Sequence, residues 1–253
     1  MRWSGDGFIL GFSKYNEKSY ILEIFTHEHG RHKGLIRGIH SKNLRATIEP
    51  GNEVHVNWSG RLESHLGNFT IEPIKMWSSY ILNQRAKLLA VTTICSMIIS
   101  TMAEKQQNIL IYEKTLKLIK DISRGEKDWI KNYIFWELDL LSEIGYGLDL
   151  SECAVTARRD KLKYVSPSSG RAVTMEGAGS FKDKLFLLPE FFVDSSIDLT
   201  LDDIKNALVL TEYFFLKRFY EPNNLNFPKS RNHLKNILTV SYTHLTLPTK
   251  QAV

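Results

Sequence analysis

GFILGFSKYNEKSYILEIFTHEHGRHKGLIRGI, residues 7–39, sets β-branched and aromatic runs apart with two polar stretches, YNEK and EHGR. Short runs of this kind, bounded by Asn, Gly and charged residues, read as strands separated by turns. EVHVNWS (53–59) and LGNFTIEPI (66–74) continue the pattern. Five short strands in roughly 75 residues predict a small barrel, and five is the strand number of the oligonucleotide- or oligosaccharide-binding fold (OB-fold), which therefore leads over an SH3-like barrel.

After Trp77 the periodicity becomes helical. Leu88, Val91, Cys95, Ile98 and Met102 recur at three- and four-residue spacing, and Ile130, Ile134, Leu138, Leu141 and Ile144 do so behind Asp128, a candidate N-cap. Gly145 is placed to stop the second helix. Thr200 followed by Asp203 reads as a capping box ahead of a helix carrying Ile204, Leu208 and Phe215. Between these lies KLKYVSPSSGRAVTMEGAG (161–179), a hairpin or irregular insert. SRNHLKNIL (230–238) predicts one more helix. TVSYTHLTLPTKQAV (239–253) does not continue it, resembles a translated adapter read-through in SYTHLTLPTK, and is expected to be a non-native or disordered tail.

Composition sets the outer bounds. The 253 residues, 43% hydrophobic, suffice for one large domain or two moderate ones with a real core. A net charge of +5 makes the placement of charge more informative than its sum. Cys95 and Cys153 each lack a C-x2-C neighbour, which supports neither a disulfide framework nor a cysteine zinc site and fits a reducing compartment. The amino terminus lacks the apolar core of a signal peptide, and the uncharged run Leu88–Ala103 is interrupted by hydroxyl residues and falls short of the ~20 apolar residues a spanning helix requires.

Residues 31–45 hold Arg31, Lys33, Arg37, Lys42 and Arg45 with no Asp or Glu. On a strand, Arg31, Lys33 and Arg37 share a face with Leu35, and Lys42 and Arg45 follow in a loop with His40, Ser41 and Asn43, all able to meet phosphate. A strand edge kept charged against edge pairing has the same composition, and the residues alone leave both readings open. Trp3, Tyr15, Tyr20, Trp58 and Trp77 are candidate stacking platforms but more simply core, with Tyr15 in its polar turn the one expected to be exposed. His27, His29 and His32 fit a polar turn around Gly30 better than a metal site. Arg158, Arg159, Lys161, Lys163 and Arg171 around Tyr164 form either a second contact surface or a polar hairpin rim. Phosphate-loop, dinucleotide and nucleophile-elbow motifs are all missing, and no catalytic constellation assembles.

FTHEHGRHKGLIRGIHS (25–41), LLSEIGYGLDLSECAVT (140–156), YVSPSSGRAV (164–173), LLPEFF (187–192) and ALVLTEYFFLKRF (207–219) together resemble RecO, a bacterial family of recombination mediators and DNA repair proteins, closest to its alphaproteobacterial members. The likeness runs from about Trp3 to about Leu238. It implies an α+β multidomain chain: an amino-terminal five-stranded OB-fold β-barrel over residues 1–80, a mainly helical domain over 81–238 with an insert at about 148–190, and the tail 239–253. It implies a non-enzymatic, cytoplasmic and nucleoid-associated protein that binds single- and double-stranded DNA and anneals complementary strands. Its implied partners are RecR, the acidic tail of single-stranded DNA-binding protein (SSB) and, indirectly, RecA, with no membrane and no cofactor. Nucleic-acid contacts fall to Arg31, Lys33 and Arg37, then Lys42 and Arg45, with Arg158, Arg159 and Arg171 as the second surface. Many members carry a four-cysteine zinc motif in the insert; here Cys153 stands alone with Thr156 at the partner position, so a zinc-free insert packed on Leu148, Leu150, Tyr164 and Val165 is expected. The rivals are an RNA-binding OB module, an ungrouped hydrolase or transferase, and an interaction scaffold.

Overall fold

Antiparallel pairing of the first three strands sets the architecture of the amino-terminal part. In a computed structural model, which describes residues 1–38, 41–62 and 65–245, β1 (Arg2–Lys14), β2 (Ser19–Thr26), β3 (Gly30–Arg37), β4 (Glu53–Ser59) and β5 (Asn68–Lys75) close into a barrel of order β1-β2-β3-β5-β4. All five fall where the periodicity places them. β1 serves both halves: its start pairs with β4 (Trp3↔Trp58), and its end with β2 (Lys14↔Tyr20). A register shift between Ile9 and Gly11 bends it from one partner to the other. The barrel closes where β3 meets β5 in parallel at a single register pair, Leu35↔Asn68. Ile9, Leu22, Ile24, Ile36, Val54, Val56, Trp58 and Phe69 fill the interior. Gly34 is required at the closure, because a Cβ there would lie 2.6 Å from the Phe69 ring.

The short helix α1 (Lys42–Thr47) bridges β3 and β4, with the Ser41 hydroxyl accepting from the Leu44 N–H. The fully buried Asn52 ties its far end down: the Asn52 amide donates to the Ala46 and Thr47 carbonyls at 2.8 and 3.2 Å, while its oxygen accepts from the Ser78 N–H at 2.9 Å. Ser78 belongs to a 3-10 turn, Trp77–Tyr80, that leads into helix α2 (Arg85–Thr101).

α2 follows the predicted stripe, burying Val91, Ile94, Cys95 and Ile98. Helix α3 (Ile109–Arg124), which the periodicity reading passed over, begins at Asn108, whose side chain accepts from the Ile111 N–H, and ends at Gly125 with φ +80°. Its Tyr112 packs on Phe8 and Phe25 with ring centroids 5.5 and 5.7 Å away. Barrel, α2 and α3 form one compact unit, Met1–Trp129.

The second unit starts at Ile130. Helix α4 (Trp129–Glu143) buries Tyr133, Ile134, Leu140 and Leu141. The insert is a three-stranded sheet of β6 (Leu162–Val165), β7 (Ala172–Thr174) and β8 (Phe186–Leu187), with the one-turn helix α5 (Met175–Ala178) after β7. Its core gathers Cys153, Val173 and Ala178 with Leu162, Tyr164 and Leu185; Leu148 and Leu150, expected there, are only half-buried. Helix α6 (Leu201–Phe214) opens on the predicted capping box, in which the Thr200 hydroxyl accepts from the Asp203 N–H and the Asp203 carboxylate from the Thr200 N–H. A π-helical turn, Phe215–Tyr220, follows.

Helix α7 (Lys229–Leu245) corrects the expected end of regular structure at residue 239. The Thr239 hydroxyl donates to the Lys235 carbonyl one turn back at 2.9 Å, which accommodates a β-branched residue within the helix. The rest of the predicted tail, residues 246–253, lies outside the described residues. Among the described residues no helix is long and apolar enough to cross a membrane.

Candidate nucleic-acid interface

The shared face of Arg31, Lys33 and Arg37 divides along its length. The connection between α2 and α3 covers its first half. There Arg31 is 8% exposed, its Nε donates to the Met102 carbonyl at 3.0 Å, and its guanidinium pairs with Glu23 at 2.6 Å and Glu104 at 3.6 Å. Lys33 reaches the same two carboxylates, Glu104 at 2.5 Å and Glu23 at 3.8 Å. Burial acts to raise the Glu104 pKa, but Lys33 and then Arg31 outweigh it and hold the carboxyl below its usual range. Arg31 is therefore a structural cation. The sequence stretch lacks acids of its own, but strand pairing supplies Glu23, opposite Lys33 on β2.

The second half of the face is open. Arg37 is exposed at the end of β3, opposite Ser19, and Lys42 and Arg45 are exposed on α1, a helix where a loop was expected. These three form no ion pair among the described residues. Lys14 and Lys18, on and just after the end of β1, project from the same end of the barrel and were missed; the signal was present in the polar turn SKYNEKS. Tyr15, in that turn, is 58% exposed. Beside Arg37 lies a 580 Å³ groove along the β3–β5 closure, walled by Leu35, Leu44, Phe69 and Ile71, and Arg37 also lines a depression with Lys18 and Asn16. Ser59, Asn68 and Thr70 also line this groove, and cations without partners beside a groove of mixed polar and apolar character are suited to a phosphate backbone with unstacked bases. His40 lies outside the described residues.

The histidines do not converge on a metal. His27 packs edge-on to Tyr112, and His29 stacks on Trp3 at 4.2 Å. His32 is buried against Trp3 and Trp58 with its Nδ1 unpaired. Burial first, then the charges of Lys105 and His29, lower the His32 pKa to about 4, against a weaker pull from Glu104. The folded value lies below the unfolded one near 6.5, so between the two the unfolded chain binds the extra proton. His32 contributes full stability above pH 6.5, and that contribution is lost as pH falls toward 4, by about 2 kcal/mol at pH 5. Denaturation midpoints measured from pH 7.5 to 4.5 should fall less steeply in His32→Asn than in wild type; parallel curves would refute this assignment.

In the insert, Arg158 is held by Asp160 at 2.7 Å and faces Glu176 at 3.7 Å, and Arg171 is shared between Asp149 and Glu152 at 3.2 and 3.3 Å. Arg159 is exposed with no ion pair among the described residues. The basic texture of the sequence here is thus largely neutralised by neighbouring carboxylates.

Cys153, Thr156, Thr174 and Gly177 come together at the spacing of two C-x2-C pairs. The Cys153 sulfur accepts from the Thr156 and Thr174 N–H groups at 3.4 and 3.3 Å, the Thr174 hydroxyl lies 3.5 Å away, and a Cβ on Gly177 would approach the sulfur to 3.1 Å. Burial acts to raise this thiol, but the hydrogen bonds from Thr156 and Thr174 prevail and bring it down to about 6. One thiol with two hydroxyls and a glycine does not fit structural zinc, whose ligands are four thiolates or imidazoles.

Comparison with known proteins covers both parts of the chain. Residues 1–77 match the family model for the amino-terminal part of recombination protein O, and residues 82–225 match that for its carboxy-terminal part. The chain is 34% identical over 240 residues to the DNA repair protein RecO of Cereibacter sphaeroides, covering 94% of this chain and 98% of that protein. It is 36% identical over 242 residues to the RecO of Brucella melitensis, at 93% and 95% coverage, and 38% identical over 241 residues to that of Hyphomonas neptunium, at 94% and 99%. With both family models in order along one chain, and such relatives matched over nearly their whole length, the protein belongs to the recombination protein O family, RecO.

Proposed function

We propose that this chain is a recombination mediator in DNA repair that binds single- and double-stranded DNA, anneals complementary strands and, together with RecR, assists the loading of RecA onto DNA coated by SSB. The observation that carries this reading is the set of exposed, unpaired cations Arg37, Lys42 and Arg45 beside the groove along the barrel closure. Annealing makes and breaks no covalent bond. It requires two phosphate backbones brought together with their repulsion lowered, which a cationic surface does, so no catalytic residue is assigned. Residues 1–80 would hold DNA, residues 81–238, with the insert at 148–190, would receive protein partners such as the acidic SSB tail, and residues 239–253 take no part. The setting is the bacterial cytoplasm at the nucleoid.

The test is fluorescence anisotropy of a labelled single-stranded oligonucleotide across a salt series, with wild type and the triple variant Arg37→Ala, Lys42→Ala, Arg45→Ala. Removing three phosphate contacts at about 0.7 counterions each should flatten the log–log salt slope by about 2 and weaken binding roughly 100-fold at 0.1 M salt. An unchanged slope would move the interface away from the barrel end, and no binding at low salt would sink the mediator reading.

A further inference from the structure

Around Trp77, on the same compact unit as the barrel, lies a second group of cations that neither the sequence reading nor the proposed interface uses. Lys75 Nζ, Lys120 Nζ and the Arg124 guanidinium stand 5.6, 5.8 and 5.5 Å from the Trp77 ring centre. Lys75 also lies over Tyr80 at 5.2 Å. Trp77 itself is only 6% exposed, so the indole serves as a floor that gathers the cations, and its own N–H is taken by Glu53 at 3.1 Å. Glu53 also faces Lys120 at 3.4 Å and is the carboxylate that opposes the group. Tyr80 is different: it is 50% exposed, with its ring 6.0 Å from Trp77, and Leu82 beyond it is 62% exposed. An exposed aromatic face beside three cations offers a base something to stack on and its phosphates something to meet.

This group is continuous with the barrel end. Lys42 and Arg45 of α1 line a 530 Å³ depression together with Glu49, Ser78, Leu82 and Leu88. Ser78 sits in the same 3-10 turn as Trp77 and Tyr80, and Asn52 clamps that turn and the end of α1 to one side chain. The two cation groups therefore share a rigid mount, and the depression beside Lys42 and Arg45 reaches that mount at Ser78.

Building on the proposed DNA-binding role, we infer that a single strand entering at the barrel end runs from Arg37 across Lys42 and Arg45, over Leu82, and onto Tyr80 and the cations Lys75, Lys120 and Arg124. The occupant is single-stranded nucleic acid and not an acidic peptide, because the half-exposed Tyr80 ring and the exposed Leu82 accompany the cations, and the depression beside Lys42 and Arg45 has mainly apolar walls and a carboxylate, Glu49, that an acidic peptide would meet. The site is accordingly longer than the barrel face.

Length dependence tests this. Labelled six- and twenty-nucleotide single strands are titrated into wild type and into the variant Lys75→Ala, Lys120→Ala, Arg124→Ala, and Tyr80→Ala is followed by photocrosslinking and peptide mapping. The six-nucleotide strand should bind the triple variant as it binds wild type. The twenty-nucleotide strand should lose at least tenfold in affinity at 0.1 M salt, with a salt slope flatter by about 2, and crosslinks should map to Tyr80 in wild type and vanish in Tyr80→Ala. Unchanged binding and slope for the long strand would overturn the track and leave the barrel-end interface standing. Equal loss for both lengths at unchanged melting temperature would also overturn it, since the cluster would then act only through the barrel. A poly-glutamate peptide bound at this cluster in place of the long strand would overturn it in favour of a protein partner, whereas loss of binding for both strands in wild type would remove the DNA-binding role itself.

Discussion

Arg231→Ala is expected to destabilise the second unit by about 3–5 kcal/mol, the range for breaking a buried ion pair by removing one member. Arg231 and Glu137 are both fully buried. The Glu137 carboxylate accepts from the Arg231 Nε and, at 2.9 Å, from a terminal guanidinium nitrogen, and also from the Tyr133 and Thr211 hydroxyls at 2.5 and 2.6 Å. Arg231 donates further to the Leu208 carbonyl at 3.1 Å. One centre thus joins α4, α6 and α7. Burial and the Glu137 charge together push the Tyr133 phenol well above its usual range, so it stays a donor at every working pH. Without the guanidinium, a carboxylate with no access to water loses its counter-charge. Urea denaturation followed by circular dichroism should show the loss for Arg231→Ala, and the double variant Glu137→Leu with Arg231→Met should recover most of it, because an apolar pair of similar volume leaves no charge behind. A single-variant loss under 1 kcal/mol would refute the assignment.

The second large effect falls on a residue the sequence assigned to DNA. Arg31→Ala should cost the first unit about 3 kcal/mol, since Glu23 loses its 2.6 Å partner, Glu104 loses the more distant of its two paired cations, and the Met102 carbonyl loses its donor. The segment it anchors is also held by the Lys105 N–H on the Arg31 carbonyl at 2.8 Å. Gly30 beside it, at φ +66°, admits the Gln106 carbonyl where any Cβ would collide. The salt slope of oligonucleotide binding should be unchanged in Arg31→Ala. A flatter slope with unchanged melting temperature would return Arg31 to the interface.

Those two residues show what was legible. The barrel strands were readable because alternation and turn chemistry are local, and Thr200–Asp203 because a capping box is four residues long. The ion pairs of Arg31 were not legible because its partners, Glu23 across the hairpin and Glu104 more than seventy residues on, are set by tertiary pairing. α3 was passed over although it is amphipathic, with buried Ile111, Leu118, Ile119 and Ile122 interleaved with lysines. The Trp77 cluster was invisible for the same reason as Arg31: Lys75 and Trp77 are neighbours in sequence, but Lys120 and Arg124 arrive from another helix. Asp160 lies two residues from Arg158, but Glu176 beside Arg158 and Asp149 and Glu152 beside Arg171 are brought in by the fold of the insert, which spacing does not show.

The β3–β5 closure has a mechanical consequence. Four of the five barrel edges are zipped by seven or eight residue pairs each, whereas this one is fastened by Leu35↔Asn68 and the hydrogen bond from the Leu35 N–H to the Gly67 carbonyl. It works as a clasp. Undoing it sacrifices a few hydrogen bonds and leaves the other edges intact, so the ring can gape along one line without melting. That line runs along the groove beside Arg37, so the barrel's least-paired seam and its groove coincide.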